Sequence, residues 1–180
     1  AWLPQMASAV SQALGVDENK THIKHRRTNT QDEPRYKKMS SKGDRFKVQE
    51  RNLQLWVNLS DFLDTGLYSD HRDTRVIVNK FASGKDFLNL FAYTGAFTCA
   101  AITGGAKSSV TVDRSETYCK WAKDNLKLNG LSGSKHEIIK SDVSKYLAQA
   151  YKNGKRFALA VVDPPSFYRN QTKGVAFDIN

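Results

Sequence analysis

Four segments of the chain carry residue types that could bind a nucleoside, and each follows a stretch that is predicted to form a strand. The first, Phe-Ala-Tyr-Thr-Gly at residues 91–95, has a single glycine. A pyrophosphate requires several glycines for close approach of the backbone, so this loop favours a nucleoside without a pyrophosphate. Asp113 follows 18 residues after Gly95, where a carboxylate can accept both ribose hydroxyls. Alternatively, Asp113 interacts with the dipole at a helix N-terminus.

Two further segments contain acceptors for a base. Asp142 could accept a hydrogen bond from the exocyclic amine of adenine, could cap the following helix, or could do both. Asp163 is followed by Pro164 and Pro165, which lack backbone donors and hold the loop rigid, so that the carboxylate and the carbonyls are acceptors at a fixed place. Phe167 offers a ring on which a base can stack. A tight turn after a buried strand is the alternative interpretation of residues 163–167.

Alternating strands and helices must position these segments. Apolar strands are predicted at residues 86–91, 109–113, 136–140 and 157–162, with helices at 96–103, 115–130 and 144–151. This alternation predicts a parallel α/β sheet, in which ligands bind at the carboxyl ends of the strands. The continuously apolar fourth strand is typical of a strand that is covered on both faces. Because residues 164–180 contain little that could form another strand, we expect an incomplete sheet: the chain is a fragment, or something outside it covers the apolar edge.

The N-terminal part of the chain is predicted to be a small α+β subdomain at residues 1–75, before the sheet domain at residues 76–180. Apolar residues at helical spacing between Pro4 and Gly15 predict a short amphipathic helix. Two alternating segments, residues 45–50 and 53–59, predict a β-hairpin with one apolar face.

The positive charge of the chain is densest near its N-terminus. The net charge is +10, and residues 1–51 hold 11 basic against 6 acidic residues. This density indicates a polyanionic partner, with a charge that serves solubility as the alternative. Residues 22–27 could form a basic strand. At residues 35–38, basic residues interleaved with an aromatic suit phosphate contact and base stacking, and a solvated edge strand and loop is the alternative. The candidate residues for contact with such a polyanion are Lys24, Arg26, Arg27, Tyr36 and Lys37.

The two cysteines, Cys99 and Cys119, lie 20 positions apart, with no His or Cys at metal-ligand spacing. We expect reduced thiols in the core of a cytoplasmic protein. No segment approaches the length and apolarity of a membrane span, and no secretory signal is apparent. The sequence therefore predicts a cytoplasmic protein without a membrane partner or a metal.

Two levels of resemblance follow from these motifs. Residues 91–95, Asp113, Asp142 and residues 163–167 resemble the motifs of class I S-adenosylmethionine-dependent methyltransferases. Residues 58–72 (NLSDFLDTGLYSDHR) and 121–130 (WAKDNLKLNG) resemble, more narrowly, the bacterial large-subunit ribosomal RNA methyltransferases. Within them, the chain resembles the C-terminal guanine-N7 methyltransferase domain of the bifunctional members, from about residue 20 to its end and weakly in the first helix.

The resemblance implies a Rossmann-like methyltransferase sheet of seven strands, of which four are recognisable here, and S-adenosyl-L-methionine as the cofactor. It implies 23S ribosomal RNA as the partner and a second methyltransferase domain fused upstream. Arg72 would pair with the carboxylate at the methionine end of the cofactor, or form an ion pair between domains, and His71 would be a packing residue. The implied cofactor-binding residues are Asp70, Arg72, Phe91, Ala92, Tyr93, Gly95, Asp113, Arg114, Asp142 and Val143, and the implied catalytic residues are Asp163, Pro164, Pro165 and Phe167.

Guanine N7 is the expected methyl acceptor. N7 has a lone pair and no proton, so its methylation needs no general base and no metal, only in-line placement and exclusion of water. Methylation of cytosine C5 would need a nucleophilic cysteine, and neither cysteine lies in residues 163–167. An exocyclic amine is an alternative acceptor, and a non-catalytic RNA-binding remnant is an alternative of another class. The single glycine of residues 91–95 disfavours a nucleotide-dependent oxidoreductase.

Overall fold

The computed structural model describes residues 2–24, 40, 42–165, 167–169 and 176–178, the last two segments by their backbone. The helices are α1 (Trp2–Leu14), α2 (Arg72–Phe81), α3 (Ala96–Thr103), α4 (Glu116–Leu128) and α5 (Val143–Lys152), with short 3-10 turns at Glu18–Lys20 and Ser69–His71. The strands are β1 (Phe46–Glu50), β2 (Leu53–Val57), β3 (Asp86–Leu90), β4 (Ser108–Asp113), β5 (His136–Lys140), β6 (Leu159–Val162), β7 (Phe167–Arg169) and β8 (Ala176–Asp178).

The chain divides into two compact units by its internal contacts. One unit consists of Ala1–Phe46 and Val57–Thr65, and the other consists of Lys47–Trp56 and Gly66–Asn180. The β1–β2 hairpin was predicted from its alternation and is confirmed, and its residues Leu53 and Leu55 pack with Cys99 and Leu126 in the second unit. The predicted division of the chain at residues 75 and 76 stays a prediction.

The second unit is built on a parallel sheet with the strand order β5-β4-β3-β6, as the alternation of strands and helices predicts. Leu88 of β3 lies opposite Val110 of β4 and Ala160 of β6, and Val112 of β4 lies opposite Ile139 of β5. Successive side chains of a strand point to opposite faces, so each strand contributes to two layers. All four strands end at the same edge of the sheet.

Helices cover both faces of this sheet. On one face, Leu88 and Val112 belong to a core cluster with Val143, Tyr146 and Ala150 of α5. On the other face, Phe87 packs with residues of α2 and α3. The contact between α2 and α3 is close, because a Cβ on Gly104 would overlap the carbonyl of Asn79. The result is an α/β/α arrangement with a buried centre at β3 and β4.

Two asparagines, Asn125 of α4 and Asn129 at its C-cap, hold the β2 strand. The Asn125 side chain accepts a hydrogen bond from the Trp56 N–H (2.9 Å). One turn further along, the Asn129 side chain accepts from the Gln54 N–H (2.8 Å) and donates to the Gln54 carbonyl (2.7 Å). The Trp121 indole N–H donates to the Trp56 carbonyl (3.1 Å). Helix α4 therefore supplies hydrogen bonds that a neighbouring strand would otherwise give.

The fourth strand of the sheet differs from its prediction. Strand β6 alternates between half-buried and exposed residues, and Val162 is 59% exposed. The prediction that both faces are covered is wrong: Leu159 and Val161 pack against the cluster of α2 and α3, whereas Ala160 and Val162, on the other face, are exposed. Among the described strands, β6 pairs with β3 alone and lies at the edge of the sheet. The prediction that no strand follows is also wrong, because β7 and β8 form an antiparallel pair with Phe167 opposite Asp178.

The N-terminal helix is confirmed as α1, and its apolar residues Trp2, Met6, Val10 and Leu14 are exposed. Residues 22–24 do not form the predicted basic strand, and residues 25–27 lie outside the described residues. Among the described helices, each is too short or too polar to cross a bilayer.

Candidate active site

The carboxyl ends of the parallel strands bring the predicted segments to one edge of the sheet. Residues 91–95 follow β3, Asp113 ends β4, Asp142 follows β5 and Asp163 follows β6. Backbone hydrogen bonds connect these ends: the Ala92 N–H donates to the Val112 carbonyl, and the Ser141 N–H donates to the Asp113 carbonyl, both at 3.0 Å. This edge is where open α/β sheets bind their ligands.

The loop at residues 91–95 has an uncommon backbone conformation. Phe91 and Tyr93 have φ values of 55° and 51°, in the left-handed region that non-glycine residues rarely adopt. The structure holds this strain with a hydrogen bond from the Tyr93 N–H to the Asp113 carboxylate (2.9 Å). Gly95 has a φ of 74°, and a Cβ there would lie 2.9 Å from the Cβ of Ala122. The glycine is therefore required by both its conformation and its closeness to α4.

The segment around Gly66 holds the same loop from the other side. The Gly66 N–H donates to the Tyr93 hydroxyl and the Thr94 hydroxyl donates to the Gly66 carbonyl, both at 2.7 Å. The Asn125 amide donates to the Thr94 carbonyl (2.9 Å). Gly66 has a φ of 100°, and a Cβ there would overlap the Trp121 indole. Gly66, Thr94 and Asn125 were assigned no role from the sequence. The sequence feature that could have identified them is their position inside the segments 58–72, 91–95 and 121–130.

Asp113, predicted to bind a ribose, accepts two backbone N–H groups, and its role toward a ribose stays a prediction. Its two oxygens accept the N–H groups of Tyr93 (2.9 Å) and Ser115 (2.8 Å). Burial raises the pKa of Asp113, although these backbone hydrogen bonds and the nearby Arg114 oppose the shift. A carboxylate has about four lone-pair positions, so each oxygen can accept a hydroxyl as well. Asp113 also precedes the N-cap Ser115 of α4, which is consistent with the alternative of a helix N-terminal carboxylate.

Asp142 caps helix α5. Its side chain accepts from the Lys145 N–H at 3.1 Å, so the alternative of an N-cap is confirmed. Asp142 is half-buried and Val143, the first residue of α5, is buried in the core. A role of Asp142 toward adenine is compatible with capping and stays a prediction.

The Asp70–Arg72 segment lies at the start of α2. Asp70 is exposed in the 3-10 turn, and Arg72 is 59% exposed with its Nε 3.7 Å from Glu50 Oε2. The stronger partner of Glu50 is Arg75, whose Nε and Nη2 donate to the two carboxylate oxygens at 2.6 and 2.7 Å in a buried pair. A contact of Arg72 with the cofactor stays a prediction. Sequence analysis did not identify the Glu50–Arg75 pair.

The Asp163–Pro165 segment presents its acceptors at the end of β6. The Asp163 side chain is 49% exposed, and its Oδ2 lies 3.5 Å from Nε2 of His71. Pro164 and Pro165 are half-buried. Phe167 begins β7, and its side chain lies outside the described residues.

The RNA-binding candidates fall mostly on residues that the structure does not describe, namely Arg26, Arg27, Tyr36 and Lys37. Lys24 is described, and its ammonium donates to the carbonyls of Phe62 (2.6 Å) and Leu63 (3.3 Å) and contacts that of Asn58 at 3.5 Å. Burial lowers the pKa of Lys24, and the charge of Asp64 opposes this shift. A phosphate contact of Lys24 would compete with these carbonyls, and RNA binding by all five residues stays a prediction.

Comparison with known proteins identifies relatives of the whole chain. Residues 5–176 match the profile of a family described as S-adenosylmethionine-dependent methyltransferases. The ribosomal RNA large subunit methyltransferase K of Neisseria meningitidis serogroup B is 46% identical over 179 residues, which are 99% of this chain and 50% of that protein. The chain therefore spans about half the length of this curated relative.

Solved structures agree with the sequence comparison. A S-adenosylmethionine-dependent methyltransferase from Streptococcus mutans is 30% identical with a TM-score of 0.66, over 77% of this chain and 35% of that chain. A methyltransferase complexed with S-adenosylhomocysteine is 26% identical with a TM-score of 0.76, over 99% of this chain and 46% of that chain. The predicted Rossmann-like class I methyltransferase fold is thus confirmed, and S-adenosylmethionine, the predicted cofactor, is the one that the matched family uses. The chain belongs to the family of S-adenosylmethionine-dependent methyltransferases.

Proposed function

We propose that the chain transfers a methyl group from S-adenosylmethionine to N7 of a guanine in 23S ribosomal RNA. The observation that carries the proposal is the Asp163–Pro165 segment, which lies at the same edge of the sheet as Asp113 and the loop at residues 91–95. The relative from Neisseria meningitidis is named a ribosomal RNA large subunit methyltransferase, which supports ribosomal RNA as the substrate.

The chain offers matching groups for the cofactor. Asp113 would accept the ribose hydroxyls, and Asp142 would accept from the adenine amine while it caps α5. Phe91, Ala92, Tyr93 and Gly95 would line the loop beneath the nucleoside, with Arg114 and Val143 beside the ribose and adenine. Asp70 and Arg72 would lie at the methionine end. When bound, the cofactor supplies an electrophilic methyl group on a sulfonium.

The acceptor step requires placement more than proton transfer. The N7 lone pair forms the new N–C bond as the S–C bond breaks, which gives S-adenosylhomocysteine and a 7-methylguanine with a positive charge. The Asp163 carboxylate would stabilise that charge, and carbonyls of residues 163–165 would accept the N–H groups of guanine. Phe167 would stack on the base. Holding the reactants in line supplies most of the rate enhancement in such a reaction.

The described cysteines argue against methylation of cytosine C5. The nucleophile of that reaction is a thiolate. Burial raises the pKa of Cys99 to about 12. Burial and the charge of Asp113 raise the pKa of Cys119. Methylation of an exocyclic amine is the second candidate, because the acceptors of residues 163–165 would also hold an amine. An RNA-binding remnant would have no need of the strained loop at residues 91–95 or of its link to Asp113.

The parent protein is proposed to act in the cytoplasm and to contain a second methyltransferase domain. The length of the curated relative, about twice that of this chain, supports the further domain.

Methyl transfer to unmodified 23S ribosomal RNA tests the proposed function. The chain is incubated with methyl-labelled S-adenosylmethionine, and the RNA is digested to nucleosides and analysed by mass spectrometry. We expect labelled 7-methylguanosine; labelled N2-methylguanosine or 5-methylcytidine would overturn the N7 assignment. We expect Asp163→Asn to abolish the label, and Asp86→Asn, a carboxylate at the opposite end of the neighbouring strand, to leave it unchanged.

A further inference from the structure

His71 and Asp163 come from distant parts of the chain and lie close together at the carboxyl end of β6. His71 ends the 3-10 turn before α2, and Asp163 follows β6. The distance from Nε2 of His71 to Oδ2 of Asp163 is 3.5 Å, and the two side chains are 35% and 49% exposed. Hydrogen bonds in active sites are often long before the substrate binds and shorten in the complex. His71 therefore lies where its imidazole can form a hydrogen bond with the Asp163 carboxylate.

The His71 ring is held by its surroundings. It packs edge to face against Phe97 of α3, with the ring centroids 5.6 Å apart. The guanidinium of Arg75 lies 5.8 Å from the centroid of the same Phe97 ring, and Arg75 is fixed by its buried pair with Glu50. The start of α2 is thus anchored at two points, which limits the directions that the imidazole can take.

We propose that His71 is a positioning residue that donates a hydrogen bond from Nε2 to Oδ2 of Asp163 and fixes the carboxylate toward the methyl acceptor. This inference rests on the proposed function of the Asp163–Pro165 segment. A neutral imidazole that donates from Nε2 has Nδ1 as its acceptor atom, so the pair defines one tautomer. The second carboxylate oxygen is then the one that would accept from the methyl-acceptor base. Misplacement of a reacting or stabilising group by about 1 Å can lower a rate by about two orders of magnitude.

Two substitutions separate positioning from packing. His71→Phe keeps an aromatic ring against Phe97 and removes the donor, whereas His71→Gln keeps an N–H donor and removes the ring. If His71 only packs, His71→Phe retains activity and His71→Gln loses it. If His71 positions Asp163, the order is reversed.

Single-turnover methyl transfer to 23S ribosomal RNA measures this order in the full chain. We expect His71→Phe to lower the rate about tenfold or more with the affinity for S-adenosylmethionine and the melting temperature unchanged, and His71→Gln to recover part of the rate. A wild-type rate in His71→Phe, or a rate in His71→Gln no higher than in His71→Phe, overturns the inference and leaves the proposed function standing.

Nitrogen-15 NMR of the imidazole rings tests the contact without any turnover. The signals that disappear in His71→Phe identify His71. We expect the Nε2–H signal of His71 to change between the wild type and Asp163→Ala, because this substitution removes the acceptor. The same Nε2–H signal in both proteins overturns the inference. If the wild-type chain or Asp163→Asn contradicts the proposed function in the transfer assay, the NMR result decides the contact independently.

Discussion

Among the polar residues that contact the loop at residues 91–95, Asn125 is predicted to be the one whose replacement costs the most stability. Its side chain has no exposed surface and serves two backbone groups at once: it accepts from the Trp56 N–H and donates to the Thr94 carbonyl, both at 2.9 Å. Asn125→Ala removes both hydrogen bonds from an enclosed site. Each buried polar group that loses its partner costs about 1–3 kcal/mol. Two such groups lose their partner, so the expected decrease in the free energy of unfolding is about 2–6 kcal/mol.

Asn129→Ala is the matched control. Asn129 lies one turn further along, at the C-cap of α4, and makes the same kind of amide contacts, to the N–H and carbonyl of Gln54, at the solvent-exposed end of the hairpin. Water can replace those partners, so the expected loss is below about 1 kcal/mol. Urea unfolding followed by tryptophan fluorescence measures both variants. Equal losses in Asn125→Ala and Asn129→Ala would refute the argument that burial decides the cost.

Asn125→Ala is also expected to weaken the binding of S-adenosylmethionine. Thr94 lies between Tyr93 and Gly95, so release of its carbonyl loosens the loop that would contact the nucleoside. Isothermal titration with S-adenosylmethionine, under conditions where the variant is still folded, is expected to show weaker binding than in Asn129→Ala. An unchanged affinity would restrict the role of Asn125 to stability.

Three further predictions concern other carboxylates and a glycine. Asp113→Asn is expected to weaken S-adenosylmethionine binding. Because burial raises the pKa of Asp113, the affinity of the wild type is expected to fall as the pH drops from 7 toward 4. If Asp113→Asn had the affinity and the pH profile of the wild type, the ribose assignment would be contradicted. Gly95→Ala combines a positive φ with a Cβ 2.9 Å from that of Ala122, and it is expected to lower the free energy of unfolding in urea by about 2–4 kcal/mol. The control Gly130→Ala has a positive φ and no close neighbour, and it is expected to cost about 1 kcal/mol. Similar losses in the two variants would contradict the steric argument. Hydrogen bonds, led by that from Ser40, lower the pKa of Asp61 from 3.8 to about 2, so the stability that the Asp61 carboxylate contributes is complete above pH 3.8 and is lost as the pH falls through about 2. Thermal melts of Asp61→Asn are expected to lack this acid-induced decrease in melting temperature. Parallel pH profiles of the wild type and the variant would exclude a stabilising role of the carboxylate.

The elements of the sheet domain could be predicted from the sequence because their patterns are local. Strands β3 to β5 and helices α3 to α5 agree with the predictions to within one or two residues, since each has a continuous apolar run or a helical stripe. Helix α2 was not predicted, because its buried side consists of Arg75 and Val78 alone, and the charge of Arg75 conceals the stripe. Strands β7 and β8 have three residues each, too few for an alternation to be recognised.

The candidate site was predictable in its position and not in its hydrogen bonds. Parallel strands bring their carboxyl ends to one edge, so the convergence of Asp113, Asp142 and Asp163 follows from topology. The contacts of Gly66 with Tyr93 and of Asn125 with Thr94 join segments that lie 27 and 31 residues apart. No local pattern specifies such pairs, because they depend on how helix α4 packs against the loop.

The two asparagines of α4 also determine the alignment of the hairpin. Four residues of an α-helix span about 6.0 Å, and two residues of a strand span about 6.6 to 6.8 Å. Asn125 and Asn129 are four apart and meet Trp56 and Gln54, which are two apart, so the helix runs alongside β2 as a ruler of nearly the same spacing. A shift of β2 by one residue would displace both amides from their partners, and a shift by two would leave one amide unmatched. Helix α4 thereby fixes the register of a short hairpin and occupies a strand edge at which another chain could otherwise add and start aggregation.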